Sequence, residues 1–187
     1  MGSTDPASDH GSVWLVRHGK PRVDPSEAAC WWPLDGDGLD DVLALGERLP
    51  DHATWFSSPE PKALTTARLL TGPLTPVRVV PALVEHRRAA TDWEDDPDAW
   101  RALVRRVFEA PDQPASPGWE PLAATRARIV PAVEQILASH RGRDVVLVGH
   151  GTAWTLLRSV LTGSPPDLDA WAALRMPDVW RLDAPGV

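Results

Sequence analysis

Apolar residues along the chain fall into two rhythms, and each predicts a kind of element. Short runs with apolar side chains on both faces predict buried strands. Ser12-Val13-Trp14-Leu15-Val16-Arg17 is one such run, and it meets His18-Gly19 at once. Ala53 to Phe56 and Val77 to Val80 are shorter candidates. Asp144 to Gly149 has the character of a central parallel strand and runs into His150-Gly151. Asp178 to Asp183 predicts a last strand. Between these runs the spacing changes to that of an amphipathic helix. Leu39, Val42, Leu43 and Leu49 predict a helix over 37–49, stopped by Pro50. Ser58 reads as an N-cap with Pro59 at the first helical position, and the helix continues through Leu70 to Gly72-Pro73. Trp100, Leu103, Val104, Val107 and Phe108 form a clean apolar face, ended by the proline-rich stretch 111–117. Ile129, Val130, Val133, Ile136 and Leu137 repeat it in a longer helix, where Pro131 is expected to kink the axis. A further helix follows through Trp154, Leu157, Val160 and Leu161.

Strands alternating with helices imply an α/β protein: a three-layer α/β/α sandwich with a mostly parallel central sheet. The pattern divides into a flexible N-terminal tail, 1–11, and a single domain, 12–187, with a short cap segment around 87–121. Two strands deliver a histidine and a glycine at their carboxyl ends, where open α/β sheets place ligand sites.

Composition narrows the classes. The formal net charge of −7 and pI near 5.3 argue against nucleic-acid and membrane-surface partners, which need a basic face. A site for an anionic substrate must therefore concentrate positive charge locally. The single cysteine, Cys30, cannot form an intrachain disulfide and reads as a small apolar residue beside Trp31 and Trp32. With a polar N-terminal segment and no stretch long enough to span a bilayer, the expected location is cytoplasmic. Ten tryptophans stand against no tyrosine; they line either the core or a pocket, with core preferred. The oligomeric state is not written in the pattern.

The candidate chemistry begins at Arg17-His18-Gly19. A lone histidine after a strand is usually a solvated loop residue. An adjacent guanidinium changes that reading, because it keeps the imidazole neutral and offers a fork matched to phosphate oxygens. Gly19 leaves room for backbone to approach a ligand. Gly149-His150-Gly151 repeats the arrangement at the other strand. Zinc is an alternative use of a histidine pair, but neither histidine has a second ligand at metal spacing.

Leu15-Val16-Arg17-His18-Gly19 resembles the signature of the histidine phosphatase superfamily, in the branch that includes cofactor-dependent phosphoglycerate mutase. Ser58-Pro59-Glu60-Pro61-Lys62-Ala63-Leu64-Thr65-Thr66-Ala67 resembles its second motif, Leu83-Val84-Glu85 its third, and Val146 to Gly151 its fourth. All occur in family order over residues 12–162. The resemblance implies a phosphoglycerate mutase-like fold and a metal-independent phosphatase without cofactor. It implies that His18 attacks phosphorus and becomes phosphorylated. Arg17, Lys62 and His150 would surround the transferring group, with Gly19 and Lys20 contributing to substrate binding. Glu85 would protonate the leaving oxygen and then deprotonate water, a role that wants a carboxyl held partly protonated. Asp92, Glu94, Asp95 and Asp96 are rival acids, read first as a solvated acidic loop. Arg87 and Arg88 are read as surface charges ahead of substrate anchors.

Three positions depart from the family pattern. Lys62 stands where arginine is common and binds phosphate as a point charge without a fork. Lys20 replaces an acidic or polar residue. Asp24 replaces a phosphate-binding asparagine and is not counted as a ligand. The short, Trp- and Pro-rich segment from Arg87 to Pro121 suits a capped pocket rather than a sealed mutase site. The expected activity is hydrolysis of a small-metabolite phosphomonoester. The alternatives are a phospho-ligand binder without turnover and a phosphatase acting on phosphoprotein side chains.

Overall fold

The computed structural model describes residues 11–88 and 94–183. The expected tail therefore lies outside the described residues except for Gly11, as does the rival acid Asp92. Five strands form one sheet: β1 (Ser12–Arg17), β2 (Ala53–Ser57), β3 (Val77–Val79), β4 (Asp144–Gly149) and β5 (Asp178–Asp183). Their order is β3-β2-β4-β1-β5. The first four are mutually parallel, and β5 pairs antiparallel with β1 at the edge. Among the described residues, six α-helices surround the sheet: α1 (Leu39–Gly46), α2 (Pro61–Thr71), α3 (Pro97–Glu109), α4 (Leu122–Ser139), α5 (Gly151–Thr162) and α6 (Leu168–Ala173).

Strand side chains alternate between two faces, and the core divides accordingly. Val13, Leu15, Phe56, Val145 and Leu147 pack with Val107 of α3, Ile129 and Val133 of α4, and Leu157 of α5. Val16, Trp55, Val146 and Val148 turn the other way, against Leu45 of α1 and Ala67 of α2. The three-layer mostly parallel sandwich is thus confirmed, and apolarity on both strand faces is its cause. Five tryptophans (Trp32, Trp55, Trp119, Trp154 and Trp171) are buried, whereas Trp31 is exposed.

One local expectation is corrected. Helix α2 starts at Pro61 with Glu60 as the N-cap residue, two positions later than the Ser58-Pro59 reading. Both prolines satisfy the N1 preference, and the Ser58 hydroxyl is taken by other partners. Helix α4 begins at Leu122 and passes through Pro131 without interruption.

The topology makes the site. β4 inserts between β2 and β1, so the chain leaves the β1/β4 seam in opposite directions and opens a crevice at its carboxyl ends. The ladders continue one step past the strands. His18 N donates to Gly149 O at 2.9 Å, and Ser58 N donates to Val148 O at 2.9 Å. His18, Ser58 and His150 are thereby brought to one rim.

Candidate active site

The His18 and His150 rings lie 5.2 Å apart, centroid to centroid, in an edge-to-face arrangement. His18 is buried, and its Nδ1 lies 2.7 Å from Gly19 O. A carbonyl only accepts, so Nδ1 carries the proton and Nε2 keeps its lone pair. Burial holds the His18 pKa well below the ordinary value, and nearby His150, Lys62 and Arg17 oppose protonation further. This is the neutral imidazole that nucleophilic attack requires.

Gly19 serves a different purpose from the one its position suggested. A Cβ there would stand 2.6 Å from Val42 Cγ2 and 2.8 Å from Leu34 Cδ1, so the missing side chain admits packing. Its N–H donates to Thr66 Oγ1 at 3.0 Å, and Thr66 Oγ1 donates to Lys62 O at 2.7 Å. Thr66 thus ties the His18 loop to α2. Gly149 is demanded by Trp154, whose ring would lie 2.5 Å from an added Cβ. That indole donates to Val16 O at 2.8 Å and locks α5 onto β1.

Arg17 donates through Nη1 to Leu174 O at 2.8 Å, while its Nε is buried without a partner among the described residues. Lys62 is nearly fully buried and contacts Glu60 Oε2 at 2.5 Å and Ala29 O at 2.6 Å. Two of the three ammonium donors are therefore held by protein acceptors. Lys20 is placed outward, 3.7 Å from Asp35. Asp24 is exposed and closes a turn on Ser26.

Glu85 reaches the N-terminus of α5. Its carboxylate accepts from Ala153 N at 2.9 Å, Thr152 N at 3.2 Å and His86 N at 2.8 Å. Burial raises its pKa, yet Arg88, His150 and the His86 amide outweigh that and leave it below the ordinary value. Because His150 is itself kept neutral, Arg88 and the amide carry this effect. The expected partly protonated acid is thus an ionised carboxylate in the unliganded site, bound at a helix N-terminus. An arriving phosphoryl dianion would raise its pKa by like-charge repulsion. Among the rivals, Asp96 caps α3 and Glu94 accepts from Asp96 N.

Arg88 was the residue the sequence undervalued. Its guanidinium lies 4.5 Å from the Trp100 ring and 4.9 Å from the Trp119 ring, and it donates to Thr152 Oγ1 at 2.9 Å. Its Nε is buried without a partner among the described residues. Arg87, by contrast, is exposed. Glu60 was also missed, since an acid between two prolines looks like loop. Cys30 is exposed, and partial desolvation and Glu60 push its thiol above the ordinary value. No three-residue His, Cys, Asp or Glu group among the described residues is placed to hold a metal. No helix among them is long and apolar enough to cross a membrane.

Two neutral histidines lie at parallel strand ends, and the charges of Arg17, Lys62 and Arg88 act on them. The family model described as histidine phosphatase superfamily (branch 1) matches residues 13–179, and the chain belongs to that family. Among solved structures it is similar to a mycobacterial glucosyl-3-phosphoglycerate phosphatase, at 25% identity and TM-score 0.71, covering 92% of this chain and 90% of that one. YhfR of Bacillus stearothermophilus is 27% identical with TM-score 0.66, over 84% of this chain and 82% of that one. A phosphoglycerate mutase from Bacillus anthracis shares the fold at 21% identity and TM-score 0.71, covering 92% and 88%. No curated protein matches.

Proposed function

We propose that this phosphohydrolase cleaves a phosphomonoester of a small metabolite through a phosphohistidine on His18. The observation that carries the reading is the His18 tautomer: Nδ1–H is spent on Gly19 O, which leaves Nε2 as the open nucleophile. Nε2 attacks phosphorus, the bond to the leaving oxygen breaks, and Glu85 gives that oxygen a proton. Water then attacks the phosphohistidine, Glu85 takes its proton, and the P–N bond breaks to release phosphate.

Arg17 and Arg88 supply the main positive field for the equatorial oxygens. Lys62 adds its remaining donor, and His150 lies against the nucleophile. A small-molecule substrate is supported by the likeness to a glucosyl-3-phosphoglycerate phosphatase.

Phosphate release from an aryl phosphate, with EDTA present, tests the mechanism. Activity that persists in EDTA and disappears in His18→Ala is the expected result. Unchanged release by a folded His18→Ala protein would overturn it.

A further inference from the structure

Phosphate chemistry does not call for a carboxylate inside its own cation set, yet Glu60 is there, 6% exposed. Its Oε2 accepts from Lys62, its Oε1 accepts from Glu85 N at 2.8 Å, and the same Oε1 lies 3.3 Å from His150 Nε2. A carboxylate has only lone pairs to offer. The imidazole nitrogen that faces it therefore carries a proton, and Ser58 Oγ, 2.9 Å from that nitrogen, can accept it as well.

A neutral imidazole protonated on Nε2 has a bare lone pair on Nδ1. His150 Nδ1 is buried and without a partner among the described residues. The groups acting on this ring come from every side: Arg17 and His18 from β1 and its exit, and Glu60 and Lys62 from the start of α2. Glu85 and Arg88 approach from the segment before α3. Burial, assisted by Lys62, Arg88 and Arg17, brings the His150 pKa down to about 3 despite Glu85. The empty site thus holds no proton on Nδ1. Phosphoryl oxygens of a dianion also offer only lone pairs, so they cannot meet a bare Nδ1 favourably.

We propose that binding of the phosphoryl dianion takes up one proton from solvent onto His150 Nδ1, and that Glu60 is the positioning residue that dictates this by keeping Nε2 a donor. The inference rests on the phosphate-site reading above. The resulting imidazolium lies between two anions, Glu60 on one nitrogen and the phosphoryl group on the other. Glu60 therefore makes substrate affinity depend on pH and favours release of phosphate as pH rises.

Sulfate is the probe, because it is a dianion that does not titrate near neutrality. Its inhibition constant against an aryl phosphate should rise about tenfold per pH unit for each proton taken up, and the histidine nitrogens assign that proton to His150 rather than to Glu85. In histidine-labelled protein, the His150 nitrogens should change from one protonated to two when sulfate saturates the site. Glu60→Gln has a single carbonyl for the groups that Lys62, Glu85 N and His150 Nε2 present to the carboxylate, and it removes the negative charge that favours a proton on Nε2, which permits the Nδ1–H tautomer. Sulfate should then bind with little pH dependence, whereas a purely structural loss would lower stability and leave the slope intact.

An active wild-type enzyme with pH-independent sulfate inhibition, or a singly protonated His150 at saturation, overturns the proposal without touching the phosphatase reading. Neither wild-type measurement depends on the variant folding. An unchanged slope in folded Glu60→Gln removes Glu60 from it. Activity that survives His18→Ala, measured in the same assay before sulfate is added, overturns the phosphatase reading instead.

Discussion

His18 and His150 share a signature, a histidine before glycine at the end of an apolar strand, and they lie on adjacent strands with Arg17 paired to Gly149. Both are buried, and burial drives both towards the neutral form. What separates them is the group facing the second nitrogen. His18 Nδ1 meets the carbonyl of its own glycine, so Nε2 is left open. His150 Nε2 meets Ser58 and Glu60, so Nδ1 is left open instead. One backbone oxygen decides which nitrogen of His18 is open, and a hydroxyl and a carboxylate decide the opposite for its neighbour. Identical local sequence is thus compatible with unlike chemistry.

The largest effect should come from removing either ring. His18→Ala deletes the atom that would form the proposed covalent intermediate, and turnover should fall by roughly 10⁴-fold or more. His150→Ala removes a positioned polar group and should cost about 10²–10³-fold in kcat. Quenched-flow trapping sharpens the contrast: the His150 variant should still accumulate phosphohistidine, and the His18 variant should form none. Equal losses, with no adduct in either, would mean that the two rings act as one unit.

Arg88 tests the second half of the pair, because its charge acts on His150 and Glu85. Arg88→Ala should lower kcat/KM by about 10- to 100-fold, the scale of a charge-assisted hydrogen bond. It should also expose Trp100 and Trp119, which intrinsic fluorescence would report. Arg87→Ala, at an exposed position one residue earlier, is the control.

Much of this was legible beforehand, and the misses share a cause. β1 and β4 were read to their ends because a strand buried on both faces leaves a continuous apolar run, whereas β5 matched its expected bounds although it is only partly buried at the sheet edge. The sense of β5 was not read, since local pattern does not encode pairing direction. Lys62 was legible as a charge, but its engagement with Ala29 and Glu60 depends on a turn far away in sequence. Arg88 looked like surface because a guanidinium sandwiched by two distant indoles has no local mark. Glu60 was hidden by Pro59 and Pro61, which read as punctuation. Residues whose role is set by their own element were visible, and those set by another segment were not.

Acid should unfold the protein through the same rings. His18, His86 and His150 all have folded pKa values lowered by burial, while the unfolded chain titrates near about 6.5. Above that pH neither state binds the protons and the histidines contribute no slope. Below it the unfolded chain takes up protons that the folded chain refuses, so stability falls as pH drops. Each ring contributes at most about 1.4 kcal/mol per pH unit. For His150 the window extends down to about 3. Denaturant titrations over this range should give a flatter profile for His150→Gln than for wild type, and an equal slope would argue against a neutral buried ring.

The smallest expected effects separate the two glycines that follow the histidines. Gly19→Ala would press a methyl against Val42 and Leu34, at 2.6 and 2.8 Å. Relief requires repacking around a fully buried valine, which costs about 1–3 kcal/mol. Gly151→Ala meets Arg17 Nε at 3.3 Å, Trp171 Nε1 at 3.4 Å and Arg17 Cζ at 3.5 Å. Gly151 opens α5, and ordering alanine there costs less backbone entropy than glycine, by less than the roughly 0.5–1 kcal/mol of a mid-helix position, which offsets the mild crowding. Its stability should therefore stay close to wild type, while the displaced Arg17 raises KM several-fold. Gly19→Ala should show the reverse, a lowered midpoint with KM little changed in the protein that remains folded. Thermal unfolding beside steady-state kinetics reads both. If Gly151→Ala is the less stable variant, the two turns differ in some way other than what each glycine faces.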